Sequence, residues 1–334
     1  MKDFCIVGSG IAGSSIANLL SKKYSVEIFD KARGPGGRAS NRRYKKDLSF
    51  DHGLQYISPK SREFRKFILD LEKKKILKKW QGNHLDFTFE KKNELPKYIG
   101  VKGNNAIPKY LIKNIKANFQ SLITNIKYND SYWEITINNK EKINFKNLIL
   151  TIPYPQLIEL SSKYLPQQIV KSKTQMIPNI TVMVAYKNHS KININSIKFN
   201  DKILAWVANE NSKERFKSNE TLWTIQCNQK YSKKIISLFK DSKNFYINEI
   251  TKQFESLTGF KRKDLIFKNI HGWRYAYNLI KFKQSSILIN KYRLGVCADW
   301  LNGPKIEDAW FSAIDLMTKI KKTRKNKFFR VFNF

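Results

Sequence analysis

The sequence predicts an α/β protein: a discontinuous Rossmann-type dinucleotide-binding domain with an inserted α+β domain that contains an antiparallel sheet. Three observations lead to this fold class. A β-α-β unit opens the chain over residues 4–30, and a strand at 292–297 followed by a helix at 306–322 closes it. The middle, 177–275, is rich in β-forming runs. We therefore expect the two ends to complete one sheet, with the middle inserted between them.

The opening β-α-β unit is defined by its hydrophobic pattern. Residues 4–7 form a short apolar run, which is typical of a buried parallel strand. Residues 11–22 place their apolar positions on one face of a helix. Residues 25–30 alternate as a second strand that ends in an acid, and a glycine-rich polar loop follows over 31–43.

Further elements follow from the same patterns. Helices are expected at 62–79, 106–119, 233–258 and 306–322. Strands are expected at 85–89, 132–137, 147–152, 180–186, 202–207, 221–227 and 292–297. We divide the chain into a dinucleotide-binding domain (1–58, 97–153 and 286–324), a substrate domain (59–96 and 154–285) and a basic tail (325–334), and we expect ligands to bind in the cleft between the domains.

Composition excludes several protein classes. With 41% hydrophobic residues the chain can bury a core, so it is not a disordered protein. Cys5, Cys227 and Cys297 lie far apart, and the four histidines follow no ligand spacing, so neither a disulfide framework nor a metal site is expected and a cytoplasmic location fits best. The uncharged stretch 4–20 is interrupted by glycines, and no membrane span is predicted.

The net charge of +36 has two explanations. It attracts nucleic acid or anionic lipid in general terms. However, the excess is mostly lysine, it is scattered along the chain among many Asn and Ile residues, and this combination is typical of genomes rich in A and T. We therefore predict no specific nucleic-acid partner.

A G-x-G-x-x-G motif lies between the first strand and the first helix. Its first glycine allows a tight turn, its second allows close approach of a pyrophosphate to the backbone, and its third allows the helix to pack on the strand. The N-terminus of the helix offers unpaired N–H groups to the phosphates. The expected pyrophosphate-binding residues are Gly8, Gly10, Ile11, Ala12 and Gly13.

The segment after the second strand indicates which dinucleotide binds. Asp30 is placed to accept hydrogen bonds from ribose hydroxyls, which favours NAD or FAD over NADP. Lys31, Arg33, Gly37 and Arg38 follow at once, and a second glycine pair with cations suits a longer, extended cofactor. The sequence therefore predicts non-covalently bound FAD.

Several motifs, in order along nearly the whole chain, resemble the renalase-like flavoproteins of the wider amine-oxidase group. They lie at 36–38, 41–43, 51–56, 151–156, 273–276, 294–300 and 307–313. The resemblance implies that Gln55, Tyr56, Asp299, Asp308 and Ala309 also bind FAD. Asp299 stands just past a strand and ahead of the last helix, where it is either a cofactor ligand or a helix cap.

Three residues near these motifs have a second interpretation or depart from the family pattern. His52 is either a flavin-site residue or a buried histidine that orients its turn. The chain has Ala298 where the family usually has glycine, and Gln226 stands about where the family's active-site histidine is expected.

The resemblance implies an FAD-dependent oxidase. It implies hydride transfer from the 2- or 6-dihydro isomers of NAD(P)H to the flavin and then to O2, which gives NAD(P)+ and hydrogen peroxide. The catalytic residues are not identified, and the candidate pocket residues are Trp223, His271, Trp273 and Tyr275. A flavin amine oxidase or desaturase, and a basic protein that binds nucleotides or nucleic acid, are the alternatives. The oligomeric state is left open.

Overall fold

The computed structural model describes residues 1–88, 95–172, 174–187, 193–278, 282 and 284–331, of which 324–331 as backbone alone. The strands, in chain order, are β1 (Lys2–Val7), β2 (Val26–Phe29), β3 (Arg42–Arg43), β4 (Ser49–Phe50), β5 (Leu77–Lys79), β6 (His84–Leu85), β7 (Tyr98–Gly100), β8 (Lys116–Asn118), β9 (Ile123–Asn129), β10 (Tyr132–Ile137), β11 (Glu141–Leu150), β12 (Met176–Tyr186), β13 (Ser196–Lys198), β14 (Leu204–Asn209), β15 (Thr221–Cys227), β16 (Leu265–Asn278), β17 (Ile287–Ile289) and β18 (Leu294–Val296). The α-helices are α1 (Ile11–Leu20), α2 (Arg62–Lys73), α3 (Ala106–Leu111), α4 (Tyr154–Ser161), α5 (Gln167–Val170), α6 (Gln229–Ile235), α7 (Lys243–Thr258) and α8 (Ile306–Val331).

The chain divides into two units, each made from separate segments. The first unit contains Met1–Gly37, Ile107–Met176 and Tyr277–Phe334, and the second contains Arg38–Ala106 and Ile177–Ala276. Relative to the predicted division, residues 38–58 and 97–106 lie in the second unit, and residues 154–176 and 277–285 lie in the first.

The sheet of the first unit has the strand order β17-β18-β11-β1-β2-β8, and β9 and β10 extend it beside β11. From β18 to β8 the neighbouring strands are parallel. The order runs outward from β1 in one direction through β2 and β8 and in the other through β11 and β18, so the β1–β11 border is the switch point at which ligands bind in such sheets. This confirms the predicted Rossmann-like α/β fold.

The second unit contains a largely antiparallel sheet with the order β16-β12-β15-β14-β13-β6. The helix α7 packs on it through apolar side chains, among them Ile247, Ile250 and Phe254, which are buried with Tyr186 and Trp223. The β-rich middle of the sequence therefore forms its own core.

All four helices expected after the opening unit differ from the structure, and the last of them, expected at 306–322, continues to Val331. The helix expected at 106–119 ends at Leu111, and β8 follows, because Lys116 and Asn118 both reach the carboxylate of buried Glu27 on β2. The helix expected at 62–79 ends at Lys73, and Lys75 has a positive φ of 57° ahead of β5. The helix expected at 233–258 is two helices, α6 and α7.

The 14-residue strand β16, which carries the 273–276 motif, was not predicted as a strand. No helix in the described part of the chain combines the length and apolar character that crossing a membrane requires. The strand expected at 85–89 is shorter than predicted, because β6 ends at Leu85 and residues 87 and 88 form a turn. His189, residue 89 and residues 332–334 lie outside the described residues.

Candidate functional site

The glycine motif forms the turn between β1 and α1 at the switch point. Gly8 has a positive φ of 103°, and a Cβ atom there would lie 2.7 Å from Oγ1 of Thr151, the residue after β11. A Cβ atom on Gly13 would lie 2.0 Å from the carbonyl oxygen of Gly8, so the helix can pack on the strand only with glycine at this position. These two glycines are required by packing inside the protein.

Gly10 is different, because it faces open space. A Cβ atom there would have no neighbour within 4 Å. Gly37 lies beside it, since a Cβ atom on Gly37 would lie 3.3 Å from the Cα atom of Gly10, and the N–H of Gly36 donates to the carbonyl oxygen of Ser9 over 3.1 Å. The two glycine loops that the sequence assigns to the cofactor are therefore adjacent within the first unit.

The N-terminus of α1 is open to an anion. No side chain caps it, and its first turn contains no acidic residue. The first N–H groups of a helix have no partner within the helix, and the helix dipole favours negative charge there. Ile11 and Ala12 contribute two of these N–H groups from positions with buried side chains. The arrangement suits the phosphates of a dinucleotide.

Asp30 follows β2 and holds the glycine loop. Its Oδ2 accepts from the N–H and the hydroxyl of Ser9, over 2.7 and 2.6 Å, and its Oδ1 accepts from the N–H of Ala32 over 2.8 Å. Asp30 therefore shapes the loop in addition to the ribose-binding role predicted for it. Lys31 and Arg33 are exposed beside it.

The C-terminal motif of the first unit surrounds the start of α8. Asp299 is buried, and its carbonyl oxygen accepts from the N–H groups of the next turn. Asp308 Oδ2 accepts from the N–H of Lys305 over 2.8 Å, which caps the helix, and Ala309 is buried one residue later. Ala298 has an extended backbone, with φ of −163°, so its methyl group causes no backbone strain there. The structure thus gives the Asp308 carboxylate a capping contact, while its predicted cofactor role stays a prediction.

The segment Asp51–Tyr56 of the second unit, which we call the 51–56 turn, is held by side chains. Its first five carbonyl oxygens each accept a hydrogen bond from a side chain. The donors, in order from residue 51 to residue 55, are Gln55 Nε2, Trp273 Nε1, Gln226 Nε2 and, for the last two carbonyls, Asn104 Nδ2. Backbone groups that ordinarily pair in sheets or helices are here paired by side chains, four of the five through residues distant in sequence.

Three residues predicted to bind the cofactor belong to this part of the second unit. The Gln55 side chain is buried and donates to the Asp51 carbonyl, so it holds the turn, and its contact with FAD stays a prediction. The ring of Tyr56 is half-buried near Trp80, with ring centroids 6.3 Å apart. Arg38 Nη1 donates to the carbonyl oxygen of Ala276 over 2.9 Å.

Three aromatic side chains form a cluster beside the 51–56 turn. The ring centroids of His52 and Trp273 are 5.0 Å apart, those of His271 and Trp273 are 4.3 Å apart, and those of the two histidines are 4.9 Å apart. We call these three residues the ring cluster. Burial, together with the neighbouring ring and the positive charge of Arg42, lowers the pKa of His52 to about 3. Burial and Arg42 lower the pKa of His271 to about 4, so both imidazoles are neutral at pH 7.

The remaining pocket candidates separate into two groups. Tyr275 follows His271 and Trp273 at intervals of two along β16, so all three lie on one face of that strand. Trp223 is instead fully buried in the core, with its ring 5.6 Å from that of Phe254. The assignment of Trp223 to the pocket was wrong, because its side chain fills the space between β15 and α7.

A buried group of charges in the second unit was not predicted. Asp51, Glu210, Lys213 and Arg215 are joined by ion pairs, and their side chains are at most 4% exposed. In a chain with 63 Lys and Arg residues, nothing in the local sequence sets Lys213 and Arg215 apart from solvent-facing cations. A predicted β-strand boundary at 207 also left residues 210–215 in an unassigned loop.

The comparisons with known proteins agree with this geometry. Residues 6–71 match the family described as the NAD(P)-binding Rossmann-like domain. The chain is 28% identical to mouse (Mus musculus) renalase over 178 residues, which cover 48% of this chain and 49% of renalase, so the match spans about half the length of that relative.

Solved structures extend the likeness to nearly the whole chain. A protoporphyrinogen oxidase-like protein from Exiguobacterium superposes with a TM-score of 0.72 at 10% identity, covering 96% of this chain and 99% of that one. Putrescine oxidase bound to putrescine superposes with a TM-score of 0.69 at 11% identity and the same coverage. The chain therefore has the fold of the flavin amine oxidases, matches the NAD(P)-binding Rossmann-like domain over residues 6–71, and is similar in sequence to renalase over about half its length.

Proposed function

We propose that the protein is an FAD-dependent oxidase whose substrate is a small dihydropyridine, namely the 2- or 6-dihydro isomers of NAD(P)H. The observation that carries the proposal is the open helix N-terminus at Gly10, with Gly37 against it. The similarity to renalase and the fold of the flavin amine oxidases support the same cofactor and reaction class.

The residues of the first unit fit FAD. The space at Gly10 admits a pyrophosphate at van der Waals distance from the backbone, and the uncapped start of α1 supplies N–H donors. Asp30 stands at the end of β2, where ribose hydroxyls are bound in this fold. Bound FAD supplies a two-electron acceptor that no amino-acid side chain provides.

The ring cluster is the proposed substrate-binding element of the second unit. A dihydronicotinamide is flat and uncharged at its ring, and the neutral imidazoles and the Trp273 indole offer stacking faces without a desolvated charge. Removal of a hydride from such a ring requires no proton transfer, which agrees with two histidines that stay neutral at pH 7. The excess of Lys and Arg attracts the phosphates of the substrate.

The test is anaerobic mixing of the purified yellow protein with each nicotinamide, while the loss of visible flavin absorbance is recorded. We expect rapid bleaching by the 2- and 6-dihydro isomers and much slower bleaching by ordinary NADH, whose hydride is on a different ring carbon. On admission of air, we expect hydrogen peroxide and NAD(P)+.

Three other outcomes would refute parts of the proposal. Rapid bleaching by ordinary NADH would refute the isomer specificity. Bleaching by putrescine or another amine, with none by either isomer, would favour an amine oxidase. A colourless protein that takes up no FAD but binds DNA with a steep salt dependence would favour a nucleic-acid-binding protein.

A further inference from the structure

The ammonium group of Lys213 has three oxygen neighbours inside the second unit. Its Nζ donates hydrogen bonds to Asp51 Oδ2 over 2.9 Å and to Gln55 Oε1 over 3.1 Å. It also forms an ion pair with Glu210 Oε2, at 2.9 Å. Because the Gln55 amide oxygen is committed to Lys213, its NH2 group is left to donate to the carbonyl of Asp51.

Arg215 helps to orient a second side-chain amide, that of Asn104. Its Nη1 pairs with Asp51 Oδ2, its Nε donates to the carbonyl of Gly100 over 2.9 Å, and its Nη2 donates to Asn104 Oδ1 over 3.2 Å. The same Asn104 oxygen accepts from the N–H of Gly100 over 2.9 Å. The Asn104 NH2 group therefore faces the other way and donates to the carbonyls of Leu54 and Gln55, over 2.7 and 2.9 Å. Lys213 thus orients the Gln55 amide, Arg215 together with the Gly100 N–H orients the Asn104 amide, and the two amides hold three of the five paired carbonyls of the 51–56 turn.

Net stabilisation of the fold does not explain this arrangement. Two carboxylates and two cations balance in charge, but taking four charges out of water is costly. Apolar replacements of buried ion pairs are often as stable or more stable. A buried ionic group does, however, select one conformation among several. The conformation selected here belongs to the turn that carries His52 into the ring cluster.

We propose that Lys213 and Arg215 are positioning residues that fix the 51–56 turn, and with it the His52 ring, for oxidation of the substrate. In its catalytic consequence this inference rests on the proposed function. Its structural part, that the two cations hold the turn through Gln55 and Asn104, can be measured on the protein without flavin.

The experiment compares Lys213→Met with the double variant Lys213→Met/Glu210→Gln. The single variant leaves two buried carboxylates with one cation, so it loses stability. The double variant restores charge balance but leaves the Gln55 amide without its cation. A third variant, Gln55→Met, removes the Lys213–Gln55 contact without changing any charge. It takes the place of Lys213→Met in the comparison if that variant does not fold. The control is Lys74→Met, which removes an exposed lysine paired with Asp70.

Three quantities are measured for each variant: the thermal midpoint, amide hydrogen exchange of the 51–56 turn in the flavin-free protein, and the rate of flavin reduction by the substrate. In the double variant we expect a thermal midpoint close to that of the wild type, exchange in the turn accelerated at least about tenfold, and reduction slowed by about ten- to a hundredfold, the range expected for a reacting group displaced by about 1 Å. Gln55→Met should show the same pattern, and Lys74→Met should match the wild type in all three.

One result for the double variant would refute the proposal. If exchange and reduction return to wild-type values together with stability in the double variant, the cations are merely structural and the proposal is wrong. If the wild-type protein takes up no flavin, the proposed function fails, while the exchange measurement still decides whether Lys213 holds the turn.

Discussion

A pair of glycine-to-alanine substitutions in the same glycine motif, at Gly10 and Gly13, should separate cofactor binding from folding. In Gly10→Ala the added methyl group meets no protein atom within 4 Å, and the backbone, with φ of −72°, is one that alanine adopts freely. Such a change reduces the entropy of the unfolded chain, so the free energy of unfolding should stay the same or rise by about 0.4–1 kcal/mol.

The cost of Gly10→Ala should appear in FAD affinity. The methyl group occupies the space through which a pyrophosphate reaches the N–H groups of α1. Hydrogen bonds to a charged group are worth about 1.5–3 kcal/mol each. Loss of one or two of them weakens binding by about ten- to ten-thousandfold, at 1.4 kcal/mol per factor of ten.

Gly13→Ala should instead lower the stability of the fold. Its methyl carbon would lie 2.0 Å from the carbonyl oxygen of Gly8, far inside contact distance, so α1 must move off β1. We expect the free energy of unfolding to fall by about 3 kcal/mol, the upper end of the usual cost of overpacking.

The assay is urea denaturation of the flavin-free proteins, followed by titration of the refolded proteins with FAD monitored by flavin fluorescence. Wild-type FAD affinity in Gly10→Ala would refute the assignment of this loop to the pyrophosphate. Loss of stability equal to that of Gly13→Ala would refute the open space at Gly10.

Three other predictions concern single side chains. Asp30→Ala removes the acceptor for Ser9 and Ala32, so FAD affinity should fall by about tenfold or more; unchanged affinity in a titration would place the ribose elsewhere. Trp273→Phe should slow flavin reduction because the hydrogen bond to the His52 carbonyl is lost, while Trp223→Phe should lower only the thermal midpoint; equal effects on reduction would contradict the core assignment of Trp223. Because the pKa values of His52 and His271 are lowered to about 3 and 4, the unfolded chain takes up protons below pH 6.5 that the folded protein does not, so the free energy of unfolding should fall from pH 6.5 to pH 4. His271→Gln should make this fall less steep in urea denaturation, and an unchanged slope would mean that His271 titrates normally in the folded protein.

Local sequence was sufficient for the dinucleotide loop. The glycines, the apolar strand before them and the acid after the second strand lie within 30 residues, and each is required by a short-range backbone constraint. Local hydrophobic patterns also predicted the strand at 221–227 and the start of the last helix at residue 306, with the bounds that the structure shows.

The parts that were missed depend on residues distant in sequence. The segment 116–118 pairs as a strand because Glu27 is buried and needs Lys116 and Asn118, a requirement invisible in its own pattern. The roles of Gln55 and Lys213 depend on a contact across 158 positions of the chain. Trp223 was assigned to the pocket from its residue type, although burial against α7 decides its place.

The central strand of the first unit has a consequence for how the protein is made. β1 ends at residue 7, its neighbour β11 lies at 141–150, and β18, which pairs with the other edge of β11, ends at residue 296. At about 5–20 residues per second, a ribosome takes roughly 15–60 s to synthesise the chain between the first and the last of these strands. During that interval β1 gains its neighbours β2 and β11, and the second unit, which ends at Ala276, is synthesised, before β18 is available to pair with β11. The sheet of the first unit is therefore completed only after β18 has been translated, and until then the unpaired edge of β11 is exposed to aggregation.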